Sequence, residues 1–158
     1  MRIGIGYDVH ALDDGLPLWL GGVEVVHSKG CVAHSDGDVL IHAICDALLG
    51  AACLRDIGVH FADTDPQWKD IDSKILLQKT VALLSQNGYS IGNVDSVIML
   101  QQPKIKDYIP QMQTILAQTM GIAVAQISVK ATTTERLGFV GREEGIAAQA
   151  VCTIVKEN

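Results

Sequence analysis

Tyr7-Asp8-Val9-His10 sets a carboxylate and an imidazole two residues apart in a strand-like stretch, so both project from one face. A second imidazole, His42, lies in Ala33-His34-Ser35-Asp36-Gly37-Asp38-Val39-Leu40-Ile41-His42, which reads as a helix start. Asp8, His10 and His42 offer two nitrogens and a carboxylate, a candidate zinc set whose fourth tetrahedral position stays open, as in catalytic sites. Hydrogen-bonded core histidines are the alternative that spacing alone leaves standing. Asp38, His42 and Asp46 recur at i, i+4 and i+8, a polar stripe on an otherwise apolar helix. Buried carboxylates need partners, so a cationic group is expected against this stripe. Asp46, one turn beyond His42, is positioned to orient that imidazole as an acceptor.

A second cluster is Lys130-Ala131-Thr132-Thr133-Thr134-Glu135. Here a strand runs out into consecutive hydroxyls and main-chain amides beside one ammonium, groups that suit phosphate oxygens. Three threonines also fit a plain strand. The following Gly138-Phe139-Val140-Gly141-Arg142 ends the strand pattern and adds a guanidinium. Glu135 is a hard oxygen ligand of the kind that shares Mg²⁺ with phosphates.

The elements that must position these groups follow from periodicity. Arg2 to His10 reads as a first strand, and Leu18-Trp19-Leu20 and Val23-Glu24-Val25-Val26 flank Gly21-Gly22 as a hairpin. Ser35 is expected to cap a helix from Asp36 to about Cys53, with Asp38 reaching back in a short-armed capping box. An acid-rich loop, Arg55 to Pro66, separates it from a second helix, capped by Asp72 and stopped at Asn87-Gly88. Tyr89 to Leu100 reads as a central strand, Gln101 to Lys106 as a loop, and Tyr108 to Met120 as a third helix with Pro110 in its first turn and Gly121 after its end. Strands follow at Ile127 to Ala131 and Gly145 to Val155. The pattern predicts an α/β (α+β) sandwich, a mixed sheet with helices covering one face.

A chain of 158 residues suits one domain, here residues 1–158. Its net charge of -6 offers no basic field for nucleic acid or anionic lipid. The 48% hydrophobic content and mean hydropathy of +0.25 are high for a small monomer, yet no apolar run spans a bilayer, so the excess points to subunit interfaces. With no signal or transit pattern at Met1 to Gly6, a cytoplasmic protein is expected. Cys31, Cys45, Cys53 and Cys152 lack Cys-x-x-Cys spacing and read as reduced core thiols, Cys45 and Cys53 within one apolar helix.

Taken together, Arg2 through His10, His34 through Val39 with His42, Asp56-Ile57-Gly58, Asp63-Thr64-Asp65, and Lys130 through Arg142 with Glu144-Gly145-Ile146-Ala147 resemble the 2-C-methyl-D-erythritol 2,4-cyclodiphosphate synthases of the non-mevalonate isoprenoid pathway. The resemblance covers essentially the whole chain. It implies a homotrimeric phosphorus–oxygen lyase with active sites between subunits. In it Zn²⁺ sits on Asp8, His10 and His42, and Mg²⁺ or Mn²⁺ sits on Glu135 with the substrate diphosphate. His34 and Thr133 then stabilise the transition state, and Asp56 and Gly58 meet the methylerythritol. Leu100, Gln101, Gln102, Pro103, Lys104, Ile105 and Lys106, with Thr132, hold the cytidine diphosphate. The implied substrate-binding set also takes in Val9, Ser35, Ile57, Phe61, Ala62, Asp63, Thr64 and Asp65, and further along Thr134, Phe139 and Arg142. The chain departs from the family at Ala62, where Pro is common, and at Gln149, where some members carry Glu near the trimer axis. A zinc-dependent phosphoester hydrolase and a non-catalytic cytidine-nucleotide-binding trimer are the alternatives.

Overall fold

The computed structural model describes residues 1–62 and 64–157. A five-stranded mixed sheet runs in the order β4-β1-β7-β5-β6, built from β1 (Arg2–Asp14), β4 (Lys29–Val32), β5 (Tyr89–Met99), β6 (Ile127–Thr132) and β7 (Gly145–Lys156). Among the described residues only β5 and β6 pair in parallel. β5 is flanked on both sides as expected of an interior strand, although β7 occupies the middle. The hairpin forms a separate two-stranded sheet of β2 (Leu18–Leu20) and β3 (Val23–Val25). Gly21 and Gly22 both have positive φ at its turn, the conformation that a two-residue hairpin of matching twist requires.

The helices are α1 (Val39–Ala51), α2 (Ile57–His60), α3 (Ser73–Gln86), α4 (Ile109–Met120) and α5 (Gly138–Gly141). α1 begins later than expected and Ser35 does not cap it. Asp38 is the cap, its side chain accepting from the Ile41 N–H. Gly37, at φ +73, turns the chain before the helix can start, and Ser35 Oγ accepts from the Gly37 N–H within that turn. α3 is capped by Asp72 and ends at Asn87-Gly88, and α4 carries Pro110 in its first turn and Gly121 in the left-handed region after its end, as expected.

α1 lies across one face of the sheet, and almost all of its side chains are buried. It approaches β1 so closely that a Cβ on Gly4 would stand 2.0 Å from the Ala47 carbonyl oxygen, and one on Gly6 2.0 Å from that of Ala43. Alternation turns the odd residues of β1 to the opposite face. There Ile3 is 66% exposed and Ile5 63%, with Tyr7 and Val9 beside them. The four cysteines are unpaired; Cys31, Cys45 and Cys152 are buried as expected of core thiols, burial pushing Cys31 and Cys45 up to about 12, whereas Cys53 is exposed because α1 ends at Ala51.

Candidate active site

The close packing of β1 on α1 determines where the ligands meet. Two residues of strand advance about 6.6 Å and four residues of helix about 6 Å, so the two elements stay in step over successive contacts. Gly4 meets Ala47 and Ala51, and Gly6 meets Ala43 and Ala47. One further step carries Asp8 and His10 to the N-terminal turns of α1, where His42 projects. Asp8 Oδ2 is 3.0 Å from His10 Nε2 and 3.1 Å from His42 Nδ1, and the two nitrogens are 3.2 Å apart. Three donor atoms thus face a common point, the group among the described residues able to hold a metal ion. Burial raises the Asp8 pKa, but hydrogen bonds from His10 and His42 outweigh it and hold this carboxyl far below its usual range. Burial works to lower the His42 pKa, and the adjoining Asp8 carboxylate pushes it up overall. One carboxylate and two imidazoles suit a borderline cation such as zinc.

The far side of His42 differs from expectation. Asp46 does not orient it: Asp46 Oδ1 accepts from the Ile57 N–H at 2.8 Å. The helix turns Asp46 toward the start of α2, and the group at His42 Nε2 is instead Ser73 Oγ, 2.9 Å away. Ser73 donates from both its hydroxyl and its backbone N–H to Asp36. Nothing local marks Ser73, which stands 31 residues beyond His42; Asp36 lay inside the quoted motif without a role. The cation expected against Asp38 is replaced by backbone. Its buried carboxylate accepts from the N–H groups of Gly21, Gly22 and Ile41 at 2.9, 2.7 and 3.0 Å.

A cavity of about 180 Å³ opens over this cluster, lined by His10, His34, Ser35, His42, Ile57 and Phe61 together with Trp68, Ile71 and Leu76. Asp56 caps α2 by accepting from Val59 N–H, which aims the helix start carrying Ile57 and Gly58 at the cavity rim. Phe61 packs edge-to-face on Trp68, ring centroids 5.4 Å apart. Ala62 and Thr64 follow, Asp65 caps the turn at Pro66–Trp68, and Asp63 lies outside the described residues. Val9 directs its side chain to the opposite sheet face, so only its main chain is on this side.

The second cluster forms a separate cavity of about 210 Å³ from Leu100, Gln101, Pro103, Lys104, Ile105 and Lys106 with Ala131, Thr132 and Thr133. Leu100 and Ile105 are buried beneath it, while Lys104 and Lys106 are exposed beside it, as is Gln102. Thr133 Oγ1 donates to Glu135 Oε1 at 2.8 Å, and Thr134 Oγ1 to the Leu137 carbonyl at 2.7 Å. Two cations named for this region are engaged elsewhere. Lys130 pairs with Asp95 at 2.6 Å across the β5–β6 ladder. Arg142 forms a forked pair with Glu144, both contacts 2.9 Å. Phe139 is partly exposed and packs over Gly145.

Within one chain the two cavities share no lining residue. Val9, Ala147, Met99 and Thr132 are register partners across β1, β7, β5 and β6, so the two clusters stand at one level of the sheet, about 14 Å apart at 4.8 Å per strand. Each cavity is smaller than the roughly 300 Å³ from which sites for ligands of drug size begin.

The YgbB family model matches residues 1–155. The chain belongs to the YgbB family. Its relatives include the 2-C-methyl-D-erythritol 2,4-cyclodiphosphate synthase of Porphyromonas gingivalis, 60% identical over 154 residues, which cover 98% of this chain and 95% of that one. The synthase of Bacteroides thetaiotaomicron is 57% identical over 157 residues, 99% of each chain. Among solved structures, a 2C-methyl-D-erythritol-2,4-cyclodiphosphate synthase in a CDP-bound form superposes with a TM-score of 0.90 at 34% identity, covering 98% of this chain and 100% of that one. The bifunctional IspDF of Campylobacter jejuni gives a TM-score of 0.96 at 42% identity over 99% of this chain, which spans 42% of that longer protein.

Proposed function

We propose that this YgbB family chain converts 4-diphosphocytidyl-2-C-methyl-D-erythritol 2-phosphate to 2-C-methyl-D-erythritol 2,4-cyclodiphosphate and CMP, in non-mevalonate isoprenoid biosynthesis. The convergence of Asp8, His10 and His42 carries this reading, in a chain so similar to the Porphyromonas gingivalis synthase. The substrate's own 2-phosphate attacks the β-phosphorus of its cytidine diphosphate arm, an eight-membered ring closes, and CMP departs. A phosphate dianion is already deprotonated, so no protein nucleophile or base is required, and the protein's work is to fold the substrate and offset charge.

Asp8, His10 and His42 would hold Zn²⁺, and Glu135 would hold Mg²⁺ or Mn²⁺ with the diphosphate. When bound, these ions polarise phosphoryl oxygens and neutralise charge as it gathers. His34, at the rim of the first cavity, and Thr133, at the second, donate hydrogen bonds to the same developing charge. Thr133 releases its contact with Glu135 to do so. Asp56 and Gly58 meet the methylerythritol, with the apolar Ile57 side chain beside them. The loop Leu100 to Lys106 with Thr132 holds the cytidine diphosphate, Lys104 and Lys106 facing its phosphates.

Both half-sites come together only if adjacent subunits contribute one each, as in a homotrimer packed on the exposed apolar face of β1 and β7. One catalytic domain over residues 1–158 and a cytoplasmic location complete the reading. No helix among the described residues is long and apolar enough to cross a membrane.

The test is incubation of purified protein with the cytidyl substrate and Mg²⁺, followed by mass measurement of products. CMP and a cyclic diphosphate are expected. His42→Ala should lower turnover at least about a hundredfold, since the bound cation contributes several kcal/mol of charge stabilisation. A linear hydrolysed product would overturn cyclisation, and nucleotide binding without CMP release would overturn catalysis.

A further inference from the structure

His42 is 6% exposed and has a different neighbour at each ring nitrogen. Nδ1 faces Asp8 and His10, whereas Nε2 meets Ser73 Oγ at 2.9 Å. Ser73 is fully buried at the first position of α3. Its hydroxyl donates to Asp36 Oδ1 and its N–H to Asp36 Oδ2, the latter at 2.9 Å. An ionised carboxylate only accepts, so the single hydroxyl proton of Ser73 goes to Asp36. Ser73 Oγ is then left as an acceptor toward His42, and Nε2 must carry the proton. With Nε2 engaged in this way, Nδ1, which meets the Asp8 carboxylate at 3.1 Å, is the nitrogen left to give up its proton to a metal.

The other candidate partner is Ser35, whose Oγ lies 3.3 Å from Nε2. It accepts from the Gly37 N–H and has no carboxylate behind it among these contacts. Asp36 also ties the surrounding backbone, its N–H donating to the Ile71 carbonyl at 3.1 Å while the Asp70 N–H donates to that of His34 at 2.8 Å. The loop bearing His34 and Ser35 is thereby zipped to the start of α3.

We infer that Asp36 and Ser73 form a hydrogen-bonded relay that holds His42 as the Nε2–H tautomer and presents Nδ1 as its metal-binding atom. Ser73 is a positioning residue, acting through His42 and touching no reacting group. The inference rests on the zinc reading of the Asp8, His10 and His42 set and goes beyond it, because it assigns the ring nitrogen and the groups that select it.

The experiment measures zinc affinity by competition with a chromophoric chelator, using metal-stripped full-length protein reloaded with zinc. Ser73→Ala should weaken zinc binding about 10- to 100-fold, the effect usual for losing a partner behind a ligating imidazole. Ser73→Thr, which keeps the hydroxyl, should restore most of that loss. In the same zinc-loaded samples, proton NMR of the His42 ring should show a slowly exchanging, hydrogen-bonded Nε2–H proton in the wild type and fast exchange of that proton in Ser73→Ala. Should Ser73→Ala not fold, Asp36→Asn carries both measurements, with the weaker binding and the faster Nε2–H exchange expected again.

Equal affinity and an unchanged Nε2–H exchange rate in the variant would overturn the relay while leaving CMP release intact. A wild-type protein that binds no zinc would overturn the zinc reading and the relay together.

Discussion

At the scale of single residues, Asp38 is the clearest case of a charged group kept for structure. Its carboxylate is wholly buried and satisfies three backbone donors, two from the hairpin turn and one from α1. Burial pushes its pKa up, against the pull of the N–H groups of Gly22, Ile41 and Gly21. Removing it orphans three buried N–H groups at about 1–3 kcal/mol each. At the lower end of that range, Asp38→Ala should lower Tm by about 6–12 °C, given roughly 2–4 °C per kcal/mol for a chain of this size. Asp38→Asn, which keeps one acceptor oxygen, should melt between the two. A circular-dichroism melt of Asp38→Ala within experimental error of wild type would show that the cluster is not what joins hairpin to helix.

At the scale of elements, the contact of β1 with α1 is a backbone-to-backbone approach made possible by small residues on both sides: Gly4 and Gly6 on the strand, Ala43, Ala47 and Ala51 on the helix. A side chain on the strand could be accommodated only by moving the helix, since the atom it would strike is main chain. Gly6→Ala should therefore destabilise the protein beyond the usual overpacking cost of about 1–3 kcal/mol and also weaken zinc binding, because α1 carries His42 away from Asp8 and His10. Gly50→Ala is the control. Its Cβ would meet nothing closer than 3.8 Å, and removing a helical glycine stabilises by about 0.5–1 kcal/mol. Thermal melts and chelator competition on the pair separate the two cases, and equal behaviour would mean that the small-residue contact does not position the ligands.

At the scale of the whole molecule, an apolar stripe of Ile3, Ile5, Tyr7 and Val9 on β1 continues across the sheet to Val151 on β7, the register partner of Ile5. Contiguous exposed apolar area of this kind is characteristic of an interface. Sedimentation should give three times the 16.9 kDa chain mass. Ile5→Asp should dissociate the assembly and abolish cyclisation while leaving zinc bound, because Ile5 and the ligand triad occupy opposite faces of β1. An active monomer would refute a site shared between subunits.

Local periodicity determined the longer elements, whereas β4, α2 and α5 are each only four residues long, too short to show a period. Alternation set Asp8 and His10 on one strand face, turn chemistry marked the hairpin at Gly21-Gly22, and the caps at Asp72 and Gly121 bounded two helices, all within windows of a few residues. The candidate triad was legible for the same reason, as each member sits at a position whose direction its own element fixes. Tertiary structure decided what depends on the crossing of distant segments. It put Ser73 rather than Asp46 behind His42, supplied backbone rather than a cation to Asp38, and spent Lys130 on Asp95 and Arg142 on Glu144. Periodicity says which way a side chain points, but its partner is whatever surface the rest of the chain brings there. The separation of the threonine cavity from the metal cluster likewise follows from the placement of β7 between β1 and β5, a strand order that no short window of sequence carries.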